Sequence, residues 1–175
     1  MAYTAVPEVN TNDQWSASDH NTYIRDNLAY LKAAADAAAS AAPPKARATA
    51  TTDFNSTTTL SNICFETESF DTDTMVDIAG APTRLTFTTA GLYLVTLWVT
   101  FASGTAGSYR HAGIYLSGSS QIGAITVPAS DGAVVPVTCQ ALYQMSAAAY
   151  VTAKVQSGET EVVTSAVIAA VKVSD

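Results

Sequence analysis

At 175 residues the chain has room for one domain and an appendage. A formal net charge of −7 excludes binding to nucleic acid as a main task, because neutralising phosphates needs clustered Lys and Arg. Only 13% of residues are charged and 48% are apolar, with Thr, Ser and Ala abundant, which suits a β sandwich whose surface is hydroxyl-rich or covered by neighbouring subunits.

The chain opens without the basic start and apolar run of a secretory leader, so synthesis in the cytosol is expected. No segment is apolar for long enough to span a membrane as a helix. Residues 1–17 read as an extended arm, since Pro7 and the polar run Asn10-Thr11-Asn12-Asp13 disfavour helix. Such an arm suits docking onto a partner, with Val6, Pro7, Val9 and Trp15 as its attachment residues.

A helix is predicted over 18–42, capped by Ser16 or Ser18, with Asp19 at its positive end. Ile24, Leu28, Leu31, Ala35 and Ala38 recur at 4-3-4-3 spacing, the seam of a helix bundle. The alternative is an amphipathic helix lying on its own β domain. So slim a seam packs only against equally slim helices, which favours the bundle. Pro43-Pro44 stops the helix, and 43–45 is a linker.

From 46 to 175 the grammar is that of strands. Predicted strands cover 46–52, 60–65, 84–88, 92–101, 111–117, 121–127, 133–145, 149–156 and 162–173. Turn dipeptides such as Ser117-Gly118, Asp131-Gly132 and Ser157-Gly158 separate them. The pattern implies a jelly-roll sandwich. In 92–101, Tyr93, Val95, Leu97, Val99 and Phe101 share one face, while Leu92, Leu94, Thr96, Trp98 and Thr100 share the other. Both faces are largely apolar, so the second is expected to meet another subunit. Trp98, Tyr115 and Tyr150 are the candidates for a subunit interface. Pro136 marks a bulge or an edge in its long strand. Cys64 and Cys139 read as buried free thiols, since two distant cysteines make no disulfide framework.

The run Leu85-Thr86-Phe87 through Gly91-Leu92-Tyr93 to Phe101 resembles the core motif of complement C1q and tumour-necrosis-factor-like domains. His111 to Gly118, Tyr150 to Gly158 and Ala166 to Val173 resemble their later strands. The resemblance implies a ten-strand jelly roll that forms a homotrimer. Trp15, then Asn21 and the run Arg25-Asp26-Asn27-Leu28, is similar to the N-terminal segments of tailed-bacteriophage virion proteins. Together the two likenesses imply a phage surface trimer: arm as anchor, helix as neck, jelly roll as head.

Catalytic sets are weak. Ser108, His111 and Asp131 can be grouped, but no nucleophile-elbow pattern is present. Two His and two Cys without close spacing make no zinc set. The acidic stretch around Asp71, Asp73 and Asp77 fails the EF-hand pattern and reads as a solvated turn or edge. Tyr109, Tyr115, Tyr143 and Tyr150 suggest a possible sugar-stacking patch, with host-surface glycan as the partner, although core packing suits them better. The expected function is a non-enzymatic, cofactor-free capsid decoration protein or head fibre on the virion surface. Its partners are its own copies and a capsid or other virion protein. The alternative is a tail-fibre or receptor-binding head. A secreted C1q-like protein is a third, weaker reading.

Overall fold

The computed structural model describes residues 17–40, 43–104, 108–129 and 132–175, with helix side chains described at 21, 22 and 24–33. Val6, Pro7, Val9 and Trp15 lie outside the described residues, and Ala35 and Ala38 are described in backbone only. The chain divides into two compact units, Met1–Ala42 and Pro43–Asp175.

In the first unit a single helix, α1, spans Ala17–Ser40. Its Ala-rich second half has high intrinsic helix propensity. Ile24, Leu28 and Leu31 follow one another on one face and are exposed, Leu28 at 60%. Arg25 donates to its neighbour Asp26 at 3.1 Å in full solvent, a contact of little energetic consequence.

The second unit is an antiparallel sandwich. Its strands are β1 (Lys45–Ala50), β2 (Phe54–Ser56), β3 (Ser61–Asn62), β4 (Thr67–Asp71), β5 (Arg84–Thr86), β6 (Gly91–Phe101), β7 (Tyr109–Leu116), β8 (Ser120–Pro128), β9 (Val135–Met145), β10 (Tyr150–Ser157) and β11 (Glu161–Ser174). One sheet runs β4-β1-β11-β6-β9, with β2 also paired to β11. The other runs β3-β10-β7-β8, with β5 paired to β10. The expected strands are all present, the 60–65 segment only as the short β3. Two strands, β2 and β4, are additional.

Alternation in β6 works as its period requires. Tyr93, Val95, Leu97, Val99 and Phe101 are all fully buried and face Ile114, Val151, Ala153 and Val155 of the other sheet within one core. Phe87 meets the Tyr93 ring edge-on at 4.6 Å between centroids, and the Tyr93 hydroxyl donates to the Thr89 carbonyl at 2.8 Å. The Ser117-Gly118 turn has φ of 50° and 74° at its two central residues, a primed turn that matches the twist of β7 and β8. Pro136 sits on β9, an edge strand in unbroken register with β6, so the proline marks an edge and not a bulge.

One of the two cysteines differs from expectation. Cys139 is buried on β9, and burial pushes its thiol up to about 11. Cys64 is exposed, because β3 ends at Asn62 and the chain beyond it alternates Ile63 and Phe65 inward.

Candidate self-association surface

The outer face of the six-stranded sheet is the most distinctive surface among the described residues. Strand register places its side chains in cross-sheet rows. Phe70, Arg47, Ala169, Thr96 and Gln140 form one row from β4 to β9. Lys45, Val171, Leu94 and Leu142 form the next, and Thr49, Val167, Trp98 and Thr138 lie on the other side. The middle row is low because Ala169 and Thr96 are short. Phe70 and Leu94 stand above it and enclose a recess of about 240 Å³ over Ala169 and Thr96. The Lys45 ammonium lies 5.7 Å from the Phe70 ring centroid.

Trp98 is 52% exposed and Leu142 60%, both on this face, while the opposite face of β6 is fully buried. Isolated exposed apolar side chains are ordinary on a protein surface. A contiguous set on one sheet face marks an interaction site.

Tyr115 and Tyr150 belong to the other sheet, so the structure does not bring them together with Trp98. Tyr115 is 7% exposed, and its hydroxyl donates to Gln121 Oε1 at 3.0 Å. The same hydroxyl therefore accepts from His111 Nε2 at 3.1 Å, which leaves His111 Nδ1 to accept from the Thr126 hydroxyl at 2.9 Å. Desolvation holds the His111 imidazole below its usual range. The Lys154 ammonium covers one face of the Tyr115 ring at 5.2 Å, and the Arg84 guanidinium covers Tyr150 at 5.0 Å.

The four tyrosines grouped in the sequence as a sugar platform are dispersed. Tyr109 begins β7, Tyr150 begins β10 beside the far end of β7, roughly 26 Å away by strand rise, and Tyr143 is on the other sheet. The acidic stretch is likewise divided. Asp71 accepts from the Asp73 and Val76 amides at 3.0 and 2.7 Å, Asp73 accepts from Thr89, and Asp77 accepts from the Gly80 amide at 2.8 Å. Asp71 and Asp77 cap their own turns, and Asp73 ties this stretch to the loop before β6. Among the described residues no three His, Cys, Asp or Glu converge. His111 bonds to Thr126 and Tyr115, and the buried Ser108 hydroxyl has no hydrogen-bond partner among the described residues.

Sequence reading picked out Trp98 and the outward residues of β6. It missed Phe70, Arg47 and Leu142. Period-two alternation in 133–145 places Leu142 with Thr138 and Gln140, a pattern that was available. Phe70 had no such pattern, because β4 is otherwise polar.

A scan against protein-family models finds no match, and no curated protein matches the sequence significantly. The fold does match solved structures. The globular domain of zebrafish complement 1qA protein aligns with a TM-score of 0.58 at 10% identity, covering 74% of this chain and 97% of that one. Murine APRIL, in its pH 5.0 structure, aligns with a TM-score of 0.59 at 9% identity, covering 75% and 99%. The β unit is thus a C1q/TNF-like jelly roll. At these identities the likeness shows the fold alone.

Proposed function

We propose that this chain is a non-enzymatic structural protein of a tailed-phage virion, a homotrimeric capsid decoration protein or head fibre. Its arm and helix attach it, and its jelly roll is displayed. The observation that carries the reading is the exposed apolar face around Trp98 and Leu142. Large exposed apolar side chains on the second face of a sheet whose first face already fills a core favour a protein partner there. Its own copies are the partner that the C1q/TNF-like resemblance implies. Ile24, Leu28 and Leu31 support the same arrangement, since an exposed apolar row on a helix is covered when three copies bundle. The virion assignment draws on the Trp15 to Leu28 segment and its likeness to phage appendage proteins.

Two measurements test it. Light scattering at micromolar concentration is expected to give three times the 18.2 kDa chain mass, and a monomer would sink the trimer. Immunogold labelling of particles is expected to decorate the capsid. Labelling confined to the tail would replace decoration with the tail-fibre, receptor-binding reading.

A further inference from the structure

We infer that the outer face of the five-stranded sheet binds an acidic sugar, a carboxylate on a hydroxyl-rich scaffold, with Arg84 and Lys154 as its charged contacts. Every residue involved belongs to one chain and to the sheet opposite the self-association surface, so the site requires neither the trimeric nor the virion reading. Charge on this face is reversed relative to the chain. The sequence holds 15 Asp and Glu against 8 Lys and Arg, yet none of the strands β3, β5, β7, β8 and β10 contains an Asp or Glu. Arg110 is buried in the core and paired with Glu161. Arg84 and Lys154 stand on the outer face, and neither makes an ion pair among the described residues.

Strand register centres the site on Thr152. Val151 and Ala153 on either side of it fill the core, so Thr152 faces outward. It lies opposite Arg84 on β5 and Tyr115 on β7, with Tyr150 and Lys154 two residues away along β10. Arg84 and Lys154 are therefore diagonal neighbours, their Cα atoms about 7–8 Å apart. Each rests on a ring, the guanidinium 5.0 Å from the Tyr150 centroid and the ammonium 5.2 Å from that of Tyr115. A ring holds a cation in place and leaves its charge unneutralised. The Tyr115 ring is itself fixed, because its hydroxyl bonds to His111 and Gln121. It lies over Gly113, the ladder partner of Lys154, where a Cβ would stand 2.8 Å from Tyr115 Cε2. Between the two cations the Thr152 hydroxyl is buried and has no hydrogen-bond partner among the described residues. A carboxylate, which only accepts, can answer both cations and the hydroxyl.

The rim of the site is uncharged and suits sugar hydroxyls. Asn62 stands opposite Lys154, and Gln156 follows it on the same face. The Gln156 amide donates to the Thr58 carbonyl at 2.7 Å, which leaves its own oxygen to accept. Among the described residues, Tyr109 is the only exposed large apolar side chain on these strands, so an acidic peptide finds no apolar seat.

The test is calorimetric titration of the full chain with tetragalacturonate at low salt. Binding is expected, and it should weaken as salt is raised. Neutral galactotetraose and tetraglutamate are the comparison ligands, each expected to bind at least ~10-fold more weakly. Arg84→Gln combined with Lys154→Gln is expected to lower the affinity for tetragalacturonate at least ~10-fold with an unchanged far-UV spectrum. Thr152→Val keeps the shape and removes the hydroxyl. It is expected to weaken binding by ~3-fold or more without lowering the melting midpoint, because it also removes an unsatisfied buried group. No binding by the parent, or unchanged affinity in either variant, overturns the site. Equal affinity for galactotetraose overturns the role of charge, and equal affinity for tetraglutamate overturns the sugar as ligand.

Discussion

Among the described residues Arg110 is the largest side chain that the fold buries completely, and it is paired with Glu161, while its Nη1 and Glu161 Oε1 have no hydrogen-bond partner among those residues. Its Nε donates to Glu161 Oε2 at 2.6 Å, its Nη2 donates to the Ala102 carbonyl at 2.8 Å, and its guanidinium lies 5.7 Å from the Phe101 ring centroid. A side chain at position 104 would collide with this pair, so Gly104 is required there. Removing one partner leaves a buried charge uncompensated, which costs about 3–5 kcal/mol. Glu161→Ala is therefore expected to lower the urea midpoint by that equivalent at constant slope, whereas Arg110→Met with Glu161→Leu is expected to be close to neutral. A Glu161→Ala variant as stable as the parent would show that the pair does not hold this end together. Glu66 is the exposed counterpart. Hydrogen bonds from Thr52 and then Thr51 lower its carboxyl to about 2 from an ordinary 4.5. A folded value below the unfolded one gives stability that is present above the ordinary value and is lost as pH falls toward 2. Thermal melts of Glu66→Gln should show a lower midpoint than the parent near neutral pH. That gap should close between about pH 4.5 and pH 2.

Elements were legible where they carry their own period. The β6 run alternates over 91–101, and the structure buries one of its faces completely. The strand β4 was not legible, because Thr67, Glu68, Ser69 and Asp71 are polar and it is a strand only through its pairing with β1. An edge strand can be polar since solvent, not core, lies beyond it. For α1, Leu28→Asp places a charge in the exposed apolar row. In the bundle reading it should speed hydrogen exchange of helix amides and leave exchange in β6 and β11 unchanged. A short helix has little stability without a packed face. Unaltered helix protection in that variant would mean that the row is not a seam.

At the scale of the whole molecule, the proposed function makes attachment and display separable. Deleting residues 1–15 is expected to leave a folded trimer that no longer enters particles, scored by light scattering and by the composition of purified virions. Normal incorporation would remove the docking role from Val6, Pro7, Val9 and Trp15. The candidate surface was half legible in the sequence. Trp98 stood out because a large apolar side chain recurs on the second face of a strand whose first face already fills a core. Arg47, Phe70 and Leu142 come from three strands separated by many residues, and only sheet order makes them neighbours.

By itself the sequence determined the helix, the break at Pro43-Pro44, the main strands and the inward set of β6, because backbone restriction and periodicity are local properties. Tertiary structure alone decided which tyrosines share a face, that the carboxylates of 71–77 bond to separate partners, and that Cys64 is exposed. It also decided that β4 and β9 are the edges of one sheet, with a recess on its outer face. Those properties depend on which strands become neighbours. That choice follows from burying one common core, and no local pattern contains it.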